Sequence, residues 1–222
     1  VDAALAEAHA IRDEELQASI DMGRLGADYL LDVCGDRPLT AMTVCNTGGL
    51  AAVERGTALA VVQELHERAR LAEAIAMETR PLLQGGRLTT WELRRMGAPH
   101  KLIVDSAGPY LLSRGGIDVV LTGADRIAAN GDTANKIGTF SLALGCQYAG
   151  VPFVVVAPES TLDPNTATGA QIDIEDRGPA EVGSVQGTAV APAGTEAYNP
   201  AFDVTPVQLI TALVTDREVR IY

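Results

Sequence analysis

The sequence has 222 residues, 47% of them hydrophobic and 21% charged, and a formal net charge of −12. A chain of this length buries one sizeable core, so we expect one main domain. Nucleic acids and anionic membrane surfaces bind basic patches, and the acidic balance argues against both as partners. No apolar run approaches the roughly 18 residues of a membrane helix, and the first residues have the pattern of a charged helix instead of a signal peptide. These features predict a cytoplasmic protein.

The cysteine and histidine pattern predicts neither a disulfide framework nor a metal site. The three cysteines include no Cys-x-x-Cys pair, and the three histidines are scattered singly along the chain. The residues concerned are Cys34, Cys45, Cys146, His9, His66 and His100. The dinucleotide, P-loop and nucleophile-elbow motifs are also absent from the sequence. We therefore expect reduced thiols, no metal and no cofactor.

The predicted elements begin, in chain order, with a helical segment over residues 2–32, followed by Gly35 as a stop in left-handed conformation. After it, short apolar runs alternate with longer amphipathic runs. The short runs predict buried strands over residues 39–44, 72–77, 101–104, 119–122 and 153–157. The long runs predict helices over residues 57–70, 87–96, 107–113 and 134–149. This alternation predicts an α/β fold with a doubly wound, mostly parallel Rossmann-like sheet and helices on both faces.

The last part of the chain is less regular. Residues 159–198 are rich in Gly, Pro, Thr and Ala, with only a weak strand-like pattern over 171–174. So long a loop is typical of a binding loop, a partner-covering arm or a mobile segment, and we take it as the candidate lid or subunit interface. Thr205 as N-cap and Pro206 at the first helical position then predict a closing helix through about residue 215.

Polar residues follow several of the predicted strands, where ligands of such folds bind. The first group is Cys45, Asn46, Thr47, Gly48 and Gly49. Two adjacent glycines let backbone N–H groups approach an anion closely, and the helix that follows adds its positive end. A plain tight turn explains the glycines equally well, and a free cysteine is often only a packing residue.

A second group surrounds Asp125 and Lys136. Asp125 stands where a strand runs out into a loop, a usual position for a catalytic carboxylate, although a loop-capping aspartate is the commoner role. Lys136, in the first turn of the predicted helix over 134–149, would oppose the helix dipole unless an anion such as phosphate bound there. An ion pair with Asp132 is the alternative. We favour the anion.

A third group follows the strand predicted over 72–77. Gln84 supplies a neutral hydrogen-bonding amide beside two glycines, and Arg80 and Arg87 are basic residues in an otherwise acidic protein. Arg80 has a simpler explanation, which is a pair with Glu78 or with an adjoining subunit.

Four long motifs together closely resemble the methylthioribose-1-phosphate isomerase family, in the same order and from about residue 39 to residue 215. They are Cys45-Asn46-Thr47-Gly48, Glu78-Thr79-Arg80-Pro81 with Gln84-Gly85, Gly123-Ala124-Asp125-Arg126-Ile127 with Asn130-Gly131-Asp132 and Asn135-Lys136-Ile137-Gly138-Thr139, and Asn199-Pro200-Ala201-Phe202-Asp203-Val204-Thr205-Pro206. The same superfamily includes ribose-1,5-bisphosphate isomerases and the regulatory subunits of the eukaryotic initiation factor 2B exchange factor.

The resemblance implies a sugar phosphate aldose–ketose isomerase of methionine salvage that forms a homodimer. It implies that Cys45 and Asp125 are the catalytic pair, which the regulatory members generally lack. The implied substrate-binding residues are Gln84, Asn135 and Lys136, with Asn46, Thr47 and Gly48 of the glycine turn beside them.

Two features depart from the family pattern. Members normally carry a further N-terminal domain, so we expect residues 1–36 to be a helical linker left from it and residues 37–222 to be the catalytic domain. Residues 105–110 differ from the usual pattern, which leaves the C5 substituent of the substrate open. The alternatives are an isomerase of another 5-modified or 5-deoxy ribose 1-phosphate or of ribose 1,5-bisphosphate, and a non-catalytic regulatory subunit that senses a sugar phosphate or nucleotide.

The expected chemistry starts from a sugar that is locked as a ring, because its anomeric oxygen is phosphorylated. We expect Asp125, protonated through partial burial and a nearby substrate phosphate, to donate a proton to the ring oxygen. Hydrogen then moves from C2 to C1. It moves as a hydride sheltered by the apolar surroundings of Cys45, or through proton removal by a Cys45 thiolate to give an enol phosphate, and the sequence leaves both routes open.

Overall fold

The computed structural model describes residues 2–222. The helices are α1 (Asp2–Val33), α2 (Ala58–Glu67), α3 (Thr90–Arg95), α4 (Ala107–Arg114), α5 (Thr139–Ala149) and α6 (Pro179–Gly183). The strands are β1 (Leu39–Thr43), β2 (Leu71–Met77), β3 (His100–Ile103), β4 (Val119–Thr122), β5 (Arg126–Ala128), β6 (Thr133–Lys136), β7 (Phe153–Val156), β8 (Leu162–Asp163), β9 (Ser184–Val185), β10 (Thr188–Ala189), β11 (Phe202–Thr205), β12 (Ala212–Val214) and β13 (Val219–Ile221). Each strand predicted in the first half of the chain is present to within about a residue at its ends.

The main sheet has the strand order β13-β12-β7-β4-β1-β2-β3. All neighbouring pairs are parallel except β12 and β13, which are antiparallel at the edge. The chain builds β1, β2 and β3 outward in one direction and then returns to place β4 on the other side of β1. A topological switch point therefore lies between β1 and β4, and the predicted doubly wound sheet is confirmed.

Hydrophobic cores cover both faces of this sheet, as expected for parallel strands. Along β4, Val119 and Leu121 join the core beneath α1 and α2, whereas Val120 joins the core beneath α4 and α5. The helix α1 is exposed over residues 2–14, and only its second half packs on the sheet domain. There a Cβ atom on Gly23 would lie 2.9 Å from the carbonyl oxygen of Ala60, which shows how closely α1 and α2 approach.

A smaller sheet with the order β11-β6-β5-β8 corrects the helix predicted over 134–149. Residues Thr133–Lys136 form β6, and α5 begins only at Thr139, after Gly138 in left-handed conformation at φ 103°. The helical spacing was misleading because β6 pairs antiparallel with β11, a strand far along the chain. Lys136 is therefore a strand residue and does not lie in the first turn of a helix, where it would oppose the helix dipole.

Two further predictions in the last part of the chain are wrong. The closing helix from Pro206 is replaced by a short 3₁₀ turn, Val207–Leu209, and the buried strand β12. Continuous apolar residues at 212–214, covered on both sides, favour a strand over a helix with one polar face. The strand-like pattern over 171–174 instead begins in a 3₁₀ turn, Gly169–Gln171, with a capping box between Thr168 and Gln171.

Two kinds of feature are absent from residues 2–222. Every helix there is too short or too polar to span a lipid bilayer. The same residues contain no group of three or more His, Cys, Asp or Glu side chains placed to hold a metal ion.

Candidate active site

The three predicted groups meet at the switch point of the main sheet. Cys45 follows β1, and Asp125 follows β4, and these two strands are direct neighbours. The loop of Gln84 follows β2, the neighbour of β1 on its other side. Because the strands are parallel, all three groups lie at the same edge of the sheet, where doubly wound folds bind ligands.

The backbone of Cys45 adopts the left-handed conformation, with φ 66°. For a residue with a side chain this conformation costs about 1–3 kcal/mol, and it persists only where the surrounding structure enforces it. Two buried threonines do so: Thr79 Oγ1 accepts the Cys45 N–H at 2.8 Å, and Thr89 Oγ1 donates to the Cys45 carbonyl oxygen at 2.6 Å. The peptide groups on both sides of Cys45 are thus held, and its side chain has a fixed direction.

The loop that holds Cys45 is itself held by Asp105. Thr79 is also left-handed, with φ 65°. The Asp105 carboxylate accepts the Thr79 N–H at 2.8 Å and the Arg80 N–H at 2.7 Å. Asp105 belongs to the segment that departs from the family motif, yet it performs a clear structural task in this chain.

The Cys45 thiol is largely sheltered from water. Burial raises the pKa of Cys45 above its ordinary value, and the Asn46 backbone N–H and the charge of Lys136 lower it in part. Burial is the largest of these effects, so the thiol stays protonated at neutral pH.

The glycine turn after Cys45 already binds an anion, and that anion belongs to the protein. Glu92, a buried residue of α3, accepts the Gly49 N–H at 2.7 Å, the Leu50 N–H at 3.3 Å and the Asn46 side-chain amide at 2.8 Å. A Cβ atom on Gly48 would collide with the same carboxylate. The prediction that these glycines bring backbone N–H groups to a ligand anion is therefore wrong for Gly49, because Glu92 occupies its N–H.

Lys136 is buried, with 8% of its surface exposed, and its Nζ donates to the Ala201 carbonyl oxygen at 3.0 Å. The Phe202 ring lies 4.2 Å from the same Nζ. Within residues 2–222 no carboxylate lies within ion-pair distance of Lys136, and Asp132, the expected partner, accepts N–H groups of Gly169 and Val207 instead. The ion pair is therefore wrong as an explanation, and the Lys136 amine has no carboxylate partner among residues 2–222.

Charges from several parts of the chain act on Lys136. Burial lowers the pKa of Lys136 most, Arg177 also lowers it, and Asp125 and Glu181 raise it; Cys45 raises it only as the thiolate. The catalytic candidates Cys45 and Asp125 are thus both within electrostatic reach of this one amine.

Asp203 of β11 caps the first turn of α5. Its carboxylate accepts the Gly138 N–H at 2.7 Å and the Phe140 N–H at 3.0 Å. Burial raises the pKa of Asp203 to about 6, although both N–H groups favour the charged form. The N–H groups at the start of α5 are therefore also bound by a carboxylate of the protein.

The remaining binding candidates line the same edge. Asn135 is buried and donates to Thr139 Oγ1 at 2.9 Å. Thr47 packs against the chain after β4, since a Cβ atom on Gly123 would lie 3.1 Å from its methyl carbon. Among residues 2–222, three of the binding candidates have a buried side-chain oxygen without a hydrogen-bond partner, namely Asn46 Oδ1, Thr47 Oγ1 and Gln84 Oε1, as do Thr43, Thr122 and Thr205. A donor group that reached one of them would gain a full hydrogen bond.

Asp125 is exposed in this chain, so the expected partial burial is wrong. Its backbone N–H donates to the Ala134 carbonyl oxygen at 2.9 Å, which fixes the start of β5. Burial of the carboxyl group would have to come from a bound ligand or from another part of an assembly.

Sequence reasoning missed the residues that reach the site from 175–185. Arg80 forms no pair with Glu78; its guanidinium donates to the carbonyl oxygens of Val182 at 3.0 Å and Ser184 at 3.5 Å. This ties the Gln84 loop to the region of α6, which also brings Arg177 and Glu181 near Lys136. The isoleucine–acid alternation at 172–176 gave no signal of such a role.

Comparison with known proteins agrees with the resemblance inferred from the motifs. A methylthioribose-1-phosphate isomerase of Nitrosococcus oceani is 51% identical over 217 residues, which are 98% of this chain and 61% of that protein. The crystal structure of 5-methylthioribose 1-phosphate isomerase from Pyrococcus horikoshii OT3 has a TM-score of 0.92 at 43% identity and covers 97% of this chain and 59% of that one.

A structure described as subunit delta of the translation initiation factor eIF-2B, from A. fulgidus, has a TM-score of 0.91 at 38% identity and covers 98% of this chain and 62% of that one. The chain spans less than two thirds of the length of each of these three proteins. The model of the initiation factor 2 subunit family matches residues 2–219. The chain therefore belongs to the initiation factor 2 subunit family.

Proposed function

We propose that this chain carries the active site of a cytoplasmic aldose–ketose isomerase that converts 5-methylthioribose 1-phosphate to 5-methylthioribulose 1-phosphate in methionine salvage. The observation that carries the proposal is the meeting of Cys45, Asp125 and the unpaired Lys136 at the switch point of the sheet. The similarity to proteins named as this isomerase supports it.

The proposed roles follow from the environment of each group. Asp125 donates a proton to the ring oxygen, once a bound substrate covers its exposed carboxyl group and the substrate phosphate disfavours its anion. Cys45 lies beside the reacting carbons. Because burial raises the pKa of its thiol, Cys45 is a poor base at neutral pH, which favours the hydride shift over the enol phosphate.

The other proposed contacts hold the sugar phosphate. Lys136 supplies a positive charge without a carboxylate partner among residues 2–222. The proposed substrate-binding residues are Gln84, Asn135 and Lys136, together with Asn46, Thr47 and Gly48. We propose that Asn46, Thr47 and Gly48 contact the substrate through atoms that are not hydrogen-bonded to Glu92.

We also propose the domain division and the dimer as hypotheses. Residues 1–36 would link a preceding domain to the catalytic domain over 37–222, which agrees with the exposed first half of α1.

A homodimer would cover Phe140, Leu144 and Tyr148, which lie four residues apart on one face of α5 and are exposed, Tyr148 at 82%. Residues 159–198 remain the proposed lid or subunit interface. Sedimentation of Leu144→Glu tests the dimer, since a variant that stays as large as the wild type would exclude this face.

The second candidate is a non-catalytic subunit that senses a sugar phosphate or nucleotide. It is favoured by the similarity to a structure described as an eIF-2B subunit. The two candidates differ in turnover, because a sensor binds the ligand at the same pocket and leaves it unchanged.

The experiment is carbon NMR of 5-methylthioribose 1-phosphate with this chain and with the longest native polypeptide that contains it. We expect a ketone carbon signal to grow with the wild type and to vanish with Cys45→Ala. Cys146→Ala is the matched control, because Cys146 is buried in the core away from the switch point and should keep its activity. Binding without any ketone in either polypeptide would reject the isomerase and favour the sensor.

A further inference from the structure

Residues 175–185, here called the strap, are tied across the edge of the site. On one side, Arg80 donates to the carbonyl oxygens of Val182 and Ser184. On the other side, the Asn199 side-chain amide donates to the Gly178 carbonyl oxygen at 3.2 Å and to Glu181 at 3.3 Å. The strap is therefore held between the loop after β2 and the segment that leads into β11.

Arg177 of the strap is placed beside Lys136 by this anchoring. Its backbone N–H donates to the Asn199 carbonyl oxygen at 3.0 Å, and its guanidinium carbon lies 6.0 Å from the centre of the Phe202 ring. Phe202 is the cross-strand partner of Lys136, whose amine contacts the same ring. Two cations thus share one aromatic ring at the edge of the site.

The guanidinium of Arg177 is only partly used by the protein. Its Nε donates to Glu175 at 3.0 Å, and Glu175 is 60% exposed. Residues 2–222 supply no hydrogen-bond acceptor for the two terminal nitrogens of Arg177. The side chain is 27% exposed, so a ligand can reach these N–H groups.

Electrostatics favours a doubly charged ligand between these groups. Besides burial, the charge of Arg177 lowers the pKa of Lys136, whereas Asp125 and Glu181 raise it. An anion bound to both Lys136 and Arg177 would relieve the repulsion between these two cations. A phosphate monoester carries close to two negative charges at neutral pH, and the planar fork of an arginine matches two of its oxygens. A point charge from Lys136 and a fork from Arg177 are complementary means of holding one phosphate.

We infer that Arg177 is a further phosphate-binding residue of this site. It binds the phosphate group of the substrate together with Lys136, and the strap holds it in position. This inference rests on the proposed function only for the identity of the sugar that carries the phosphate. If Arg177 served merely to pair with the exposed Glu175, its removal would change little, because such surface pairs contribute little.

The test is a titration of inorganic phosphate against the protein, followed by phosphorus NMR. We expect Arg177→Gln to weaken binding about tenfold and Arg177→Lys, which keeps the charge but loses the fork, to weaken it less. Arg12→Gln is the control with the same change in net charge, since Arg12 lies on the exposed half of α1. Equal affinity of Arg177→Gln and Arg12→Gln, or no phosphate binding by the wild type, would overturn the inference.

Turnover separates this inference from the proposed function. If the wild type is active, Arg177→Gln should raise KM for the sugar phosphate at least as strongly as it lowers kcat. Unchanged KM and kcat would overturn the role of Arg177 but leave the proposed isomerase activity supported. If phosphate binds and depends on Arg177 but no ketone forms, the isomerase fails and Arg177 remains a phosphate ligand.

Discussion

The carboxyl group of Asp203 should make the folded state less stable as the pH rises from about 4 to about 6. Burial raises its pKa from the ordinary 3.8 to about 6 in the folded protein. Between these pH values the folded state binds a proton that the unfolded state has released. The free energy of unfolding therefore falls with rising pH in this window, and the contribution is complete below 3.8 and lost above the folded pKa.

The size of the effect follows from the shift. One pKa unit corresponds to about 1.4 kcal/mol, so the rise to about 6 corresponds to about 3 kcal/mol. The two N–H groups of Gly138 and Phe140 do not change this sign, because their favourable effect on the anion is already included in the raised value.

The assay is urea unfolding of the wild type and of Asp203→Asn at several pH values between 4 and 7. Asparagine does not titrate, so the wild type should lose about 3 kcal/mol relative to the variant across this range. Asp163→Asn serves as the control, because hydrogen bonds, above all that of Thr166, lower the pKa of Asp163 and its contribution is lost only in more acidic solution. A constant difference in the free energy of unfolding between the wild type and Asp203→Asn from pH 4 to pH 7 would show that Asp203 does not have a raised pKa in the folded protein.

Three further predictions use the packing and the thiols. Glu92→Gln places an amide where several N–H groups need an acceptor, so it should lower the free energy of unfolding by about 2–4 kcal/mol in urea, and an unchanged midpoint would contradict the role of Glu92. Gly145→Ala should cost about 1–3 kcal/mol because its Cβ would meet α4 at 2.9–3.2 Å, whereas Gly183→Ala, with open space around it, should be near neutral in the same assay. Mass spectrometry after treatment with iodoacetamide should show Cys45 reacting faster as the pH rises, because burial raises the pKa of its thiol. Burial raises the pKa of Cys146 to about 12, so Cys146 should stay unmodified at pH 9. Rapid modification of Cys146 would contradict its burial.

The main sheet was predictable because parallel strands buried on both faces leave unbroken apolar runs, such as those of β4 and β7. The small sheet was not predictable in this way. Strand β6 pairs with β11, which lies far along the chain, and no local pattern records that pairing. Strand β12 was missed for another reason, because Thr205 and Pro206 resemble the start of a helix although an unbroken apolar run follows at 212–214.

The candidate site was predictable where its residues directly follow strands, as Cys45 and Asp125 do. The supporting residues were not, because Glu92 has the pattern of an ordinary charged helix residue and Arg177 lies in a segment without periodicity. The burial of Asp125 was predicted wrongly because exposure depends on what covers the edge of the sheet, which no local motif encodes. Motifs thus predicted which residues form the candidate site, while the contacts that hold these residues depend on tertiary structure.

The most direct test of the proposed isomerase follows the C2 carbon of 5-methylthioribose 1-phosphate, labelled with ¹³C, during incubation with the wild type and with Asp125→Asn. The asparagine cannot donate the proton that opens the ring but keeps the shape of the exposed side chain, so folding should be unaffected. We expect a ketone resonance with the wild type and a rate at least about 100-fold lower with Asp125→Asn. A normal rate in Asp125→Asn, or no ketone with the wild type, would contradict the account.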